Sequence, residues 1–167
     1  FRDQGQVLVH SNFIRYAAQF GIVIDNGPRT RTDLEDTPNR IGALPHPGAP
    51  QKFDGLNTDR LAPGAVLTNN VIARGGQGGI SISGDGTLTD AAVPFVRVVN
   101  NTIYGRRQGD VGIRVNEYSS PTLLNNIVAN LATGVQVIDD QSTRTTVLGG
   151  TLFQNNIQQF THPTIGV

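Results

Sequence analysis

The 167-residue chain reads as a single all-β domain, a solenoid in which each sequence repeat forms one coil of short, stacked parallel strands. Three observations predict it. An Asn pair recurs along the chain, at Asn69-Asn70, Asn100-Asn101 and Asn125-Asn126. Apolar residues sit at constant offsets three before and two after the second Asn. A Gly further on then opens a short segment whose alternate residues are branched and apolar, the period-2 signature of a strand with one buried face.

The elements follow in order. The first repeat is anchored on Asn12, with Val9 before it, Ile14 after it and Gly21-Ile22-Val23-Ile24 as its alternating strand. Residues 26–64 are rich in Pro, Gly and charge and show no alternation, so they read as one long loop insertion, of the kind that is usually functional or disordered. The second repeat carries Leu67, Asn70, Ile72 and Gly79–Ile82, and a longer turn follows at 84–93. The third has Val98, Asn101, Ile103 and Gly112–Val115, and the fourth Leu123, Asn126, Val128 and Gly134–Val137. A fifth, TVLGGTLF, is aligned with Gly150 at the anchor, between Val147 and Leu152. The anchors are then 58, 31, 25 and 24 residues apart. Repeats this short leave no room for crossover helices, which argues against βαβ units, and a sandwich would not keep one anchor in fixed register. An Asn at a coil corner tolerates the left-handed conformation, and amides in successive coils, about 4.8 Å apart, can hydrogen-bond up the stack. Asn12, Asn70, Asn101 and Asn126 are therefore expected to form a structural ladder.

The NNxI and G[IV]x[VI] phrases, spread over most of residues 7–157, resemble the coil repeat of right-handed parallel β-helix proteins of the pectate-lyase-like superfamily. The phrase SPTLLNNIVAN…TGVQV is similar to repeats of large secreted or surface proteins of environmental bacteria. The resemblance implies a right-handed parallel β-helix of about five coils and an extracellular or cell-surface setting. It does not imply one chemistry, since the superfamily includes lyases, hydrolases, epimerases, tailspikes, adhesins and stalks.

Composition narrows the partners. The formal net charge is zero, so nothing predicts nucleic acid or an anionic membrane, and no apolar run approaches the roughly 20 residues that span a bilayer. Absence of Cys excludes disulfides and thiolate metal sites. The chain starts at Phe1 and holds no Met, so it is expected to be part of a longer protein, with flanking domains or end-to-end self-association covering its strand edges.

Two columns of polar residues are candidates for function. One corner carries Arg15, Tyr16, Arg74, Tyr104, Arg106 and Arg107, types that stack on sugars and grip carboxylates bidentately. Another carries Asp25, Asp85, Glu117, Asp139 and Asp140, an acidic edge able to offer oxygen ligands to Ca²⁺, the one metal the sequence brings into question. His10, His46 and His162 are far apart, no GxSxG or P-loop pattern occurs, and the Asp139-Asp140 pair lacks the His and Arg companions of the superfamily's hydrolases. No catalytic set emerges. The expectation is a non-enzymatic extracellular module, a scaffold, adhesion or fibre subunit that contacts carbohydrate. The alternative is a polysaccharide lyase or glycoside hydrolase.

Overall fold

The computed structural model describes residues 7–25, 65–84, 96–117, 119–139, 142 and 145–162. The 26–64 insertion, together with Asp85 and Asp140, lies outside the described residues. Among the described residues, fifteen strands form three parallel sheets of five, consistent with a β-helix-like solenoid. The first sheet stacks β1 (Val7–His10), β4 (Ala65–Thr68), β7 (Val96–Val99), β10 (Thr122–Leu124) and β13 (Val147–Gly149). The second stacks β2 (Phe13–Arg15), β5 (Val71–Ala73), β8 (Thr102–Tyr104), β11 (Ile127–Ala129) and β14 (Leu152–Gln154). The third stacks β3 (Phe20–Asp25), β6 (Gly78–Ser83), β9 (Val111–Asn116), β12 (Thr133–Val137) and β15 (Gln158–Thr161).

Like residues stack on like. Val9, Leu67, Val98 and Leu123 are partners in adjacent strands, as are Ile72, Ile103 and Val128, and Ile22, Ile80, Ile113 and Val135. These columns form the core, and Leu67, Val98, Leu123, Val128, Ile80, Ile113 and Val135 are wholly buried. The Gly that opens each alternating strand has a steric reason. A Cβ on Gly79 would lie 2.5 Å from Cγ2 of Ile103 and 2.7 Å from the Gly112 carbonyl oxygen, so a side chain there would collide with the second sheet's core column.

The Asn ladder is present, and the two amides of each pair divide the work. The first residue adopts the left-handed conformation: φ is 55° at Ser11, 56° at Asn69 and Asn100, and 53° at Asn125. Asn and Asp accept this region more readily than other side chains because a short amide bonds locally. The second residue points inward. Asn70 donates its backbone N–H (3.0 Å) and Nδ2 (2.9 Å) to Oδ1 of Asn101, and Asn101 does the same to Asn126 at 3.0 and 3.2 Å. The spare amide hydrogens reach back to Val9, Leu67 and Val98 carbonyls, each at 2.9 Å. Every ladder amide is thereby satisfied, which is what allows Asn70, Asn101 and Asn126 to be 0, 0 and 1% exposed.

The fifth repeat is one residue out of the expected alignment. Leu148, not Val147, pairs with Leu123, and Phe153, not Leu152, pairs with Val128. Gly150 therefore follows Asn125 in the left-handed column (φ 56°), and Thr151 stands at the ladder position, its hydroxyl donating to the Gly149 carbonyl at 3.3 Å. The regular interval is 25 residues here too.

Candidate functional site

The Arg/Tyr residues gather where the second sheet turns into the third. Arg15 ends β2, and Tyr104, two strands away, ends β8 in the column that runs Arg15, Ala73, Tyr104, Ala129. Tyr16 and Arg74 come immediately after their strands, both left-handed, with φ of 58° and 57°. The third repeat has Gly105 here, with Arg107 left-handed (φ 63°) two residues on, and the fourth and fifth place Asn130 (φ 58°) and Asn155 (φ 54°) at this corner. A left-handed Tyr or Arg costs about 1–2 kcal/mol that Asn largely avoids.

Corner length varies. Four residues span it at 16–19 and 74–77, six at 105–110, and three at 130–132 and 155–157. The longest loop raises Arg106 beside Arg74, whose carbonyl oxygen accepts from Nη2 of Arg106 at 3.1 Å. Nη1 of Arg74 donates to the Tyr16 hydroxyl at 3.1 Å. The Arg15 guanidinium lies 5.7 Å from the Phe13 ring centroid and 5.6 Å from that of Tyr16, with Arg74 5.9 Å from Tyr16. An open cleft of about 330 Å³ results, lined by Tyr16, Arg74, Tyr104, Gly105, Arg106 and Asn130. Gly105 is part of its lining, and the position takes glycine because a Cβ there would come within 2.2 Å of Oδ2 of Asp110 and 2.3 Å of Cδ2 of Leu131. Arg107 diverges from the others, its Nη1 donating to Oδ1 of Asn155 at 3.1 Å.

Among the described residues, every hydrogen-bond or ring partner of the guanidinium groups of Arg15, Arg74, Arg106 and Arg107 is neutral: phenyl and phenol rings, a hydroxyl, a carbonyl and an amide. Four cations thus share one corner, and among the described residues no carboxylate holds any of their guanidinium groups. Such an arrangement favours an anionic ligand, and the exposed tyrosine rings add flat apolar surface for a sugar face.

The acidic corner is differently occupied. Asp25, Ser83 and Asn116 are paired in register at the ends of β3, β6 and β9. Glu117 accepts from the Ser83 hydroxyl at 2.5 Å. The Asp139 carboxylate accepts the backbone N–H of Ser142 at 2.7 Å and its hydroxyl at 2.8 Å. Among the described residues no three His, Cys, Asp or Glu side chains form a group able to hold a metal.

Two residues escaped the sequence reading. Asn156 accepts the Leu131 N–H at 3.0 Å and donates to the Val128 carbonyl at 2.8 Å, reproducing ladder geometry at the second corner. The signal was a further Asn pair, Asn155-Asn156, at an offset outside the repeat. Asp110 is 3% exposed and closes the six-residue loop. Comparisons with protein-family models, with curated proteins and with solved structures find no match for this chain.

Proposed function

We propose that the chain is a right-handed parallel β-helix of about five coils, of the pectate-lyase-like kind, which works outside the cell as a non-enzymatic scaffold or adhesion module and holds an acidic polysaccharide at its Arg/Tyr corner. The observation that carries this reading is that, among the described residues, the guanidinium groups of this corner have only neutral partners, with Arg74 and Arg106 lining the cleft. Two further features support it. Tyr16 and Arg74 hold a left-handed backbone at positions where the fourth and fifth repeats use Asn, and strain of this kind collects at binding sites. Among the described residues, the cleft lining is Tyr, Arg, Gly and Asn with no carboxylate or imidazole, a set that offers grip on an anion. Right-handedness agrees with the strong bias of connections between parallel strands.

Calorimetric titration with defined oligouronates and with neutral oligosaccharides of equal length tests this, alongside a product assay on the same mixtures. Binding confined to the anionic series, weakened by salt and without product, is expected. Arg74→Ala removes a charge-assisted contact of about 1.5–3 kcal/mol, a loss of about 10- to 100-fold. Equal affinity for neutral sugars would overturn the ligand class, and turnover would overturn the non-enzymatic reading.

A further inference from the structure

We propose that Asp110 is a positioning residue for the cleft: its buried carboxylate shapes the six-residue loop so that Arg106 forms the cleft wall. The inference rests on the reading of the Arg/Tyr corner as an anion-binding site. The loop at 105–110 is two residues longer than 74–77 in the preceding repeat, and extra length in a corner would ordinarily let the chain wander. Here the carboxylate gathers it. Oδ2 of Asp110 accepts the Arg106 N–H at 2.6 Å, and Oδ1 accepts the Gln108 N–H at 3.2 Å and the Ala132 N–H at 3.1 Å. The Asp110 carbonyl takes the N–H groups of Ala132 and Thr133, both at 3.1 Å. On either side, Gly105 and Arg107 donate to the Ala129 and Asn130 carbonyls at 3.0 Å. With its backbone held at four successive residues, Arg106 reaches across to the Arg74 carbonyl.

The residue type is demanding. Both oxygens accept, so an amide would turn a donor toward an N–H on one side. A residue that merely held the corner together could be an apolar plug of the same size. A buried carboxylate is kept only where N–H groups need an anion; here two of the three, at Arg106 and Gln108, belong to the loop that carries Arg106, and the third, at Ala132, ties that loop to the next corner.

Asp110→Asn tests the role with two readouts. The first needs no ligand. Amide exchange of Arg106 and Gln108 is expected to be slow in the parent chain and at least tenfold faster in the variant, with the ladder amide of Asn101 unchanged. Equal Arg106 exchange in both proteins overturns the proposal. The second is a double-mutant cycle on hexagalacturonate affinity. Asp110→Asn should weaken binding about tenfold in the parent and less than twofold in an Arg106→Ala background. The same loss in both backgrounds would mean that Asp110 acts on the whole corner and would refute positioning. If the parent chain binds no oligouronate, the proposed function falls while amide exchange still decides the role of Asp110. Should Asp110→Asn not fold, Asp110→Glu, with both acceptors kept but displaced by one methylene, takes its place under the same criteria.

Discussion

Replacing Asn101 by Ala interrupts the ladder at its middle. The side chain donates to Leu67, to Val99 and to Oδ1 of Asn126, and its own Oδ1 accepts both the backbone N–H and Nδ2 of Asn70. Some of these groups keep a second partner. Nδ2 of Asn70 retains the Val9 carbonyl, Oδ1 of Asn126 retains the Asn101 N–H, and the Val99 carbonyl retains the Asn69 N–H. The Asn70 N–H does not, and it lies in a fully buried residue. A stranded buried group costs about 1–3 kcal/mol, and each further net bond lost costs about 1 kcal/mol, so about 3–5 kcal/mol is expected. With a urea slope of about 2 kcal/mol/M, the unfolding midpoint should fall by about 2 M at unchanged slope. Asn12→Ala is the control. Asn12 is exposed, and its backbone N–H still reaches Oδ1 of Asn70, so about 1 kcal/mol or less should be lost. If the two variants lose the same stability, or if Asn101→Ala costs under 1 kcal/mol, the amides do not act as a satisfied buried chain.

Thr151→Asn should extend the ladder toward the fifth repeat and raise stability by about 1 kcal/mol, read from the same urea curves. Gly79→Ala forces a methyl against Ile103 and the Gly112 carbonyl and should cost about 1–3 kcal/mol, a loss seen as a lower thermal midpoint. Arg74→Asn should separate stability from function. Asn suits the left-handed corner, as Asn130 and Asn155 do, so unfolding should be harder by about 0.5–1 kcal/mol while oligouronate binding weakens.

Much of the fold was legible because a solenoid repeats its own reasons. One NNxI phrase is ambiguous, but Leu67, Val98 and Leu123 at a constant offset from Asn70, Asn101 and Asn126 leave a single stacking register. The fifth repeat was misaligned because Val147 and Leu148 are both apolar, and Gly149-Gly150 imitates the spacing of the Asn pair. Its stacking partners, Leu148 and Phe153, are one step further on, and the left-handed column, filled by Asn125 and then Gly150, is what fixes the register. The Arg/Tyr corner was legible as a column, since Tyr16 and Arg74 follow equivalent strands. Which arginines converge was not. Two extra residues in the 105–110 loop carry Arg106 toward Arg74 and turn Arg107 to Asn155, and nothing in the repeat encodes that geometry. Asp110 was hidden for the same reason: its partners at 106, 108 and 132 meet only once the corner closes.

The central claim, continuous in-register stacking from the first repeat to the fifth, has a direct measurement in one distance. Leu8, Val66, Arg97, Thr122 and Val147 are successive partners across the first sheet, and Leu8 and Val147 are 67% and 55% exposed at its two edges. The chain has no Cys, so Leu8→Cys with Val147→Cys gives a clean spin-labelled pair. Four strand steps of about 4.8 Å predict backbones about 19 Å apart, and a narrow distribution centred within label reach of that value is the expected result. A broad distribution, or one centred beyond about 35 Å, would contradict the stacking from which the ladder and the Arg/Tyr corner follow.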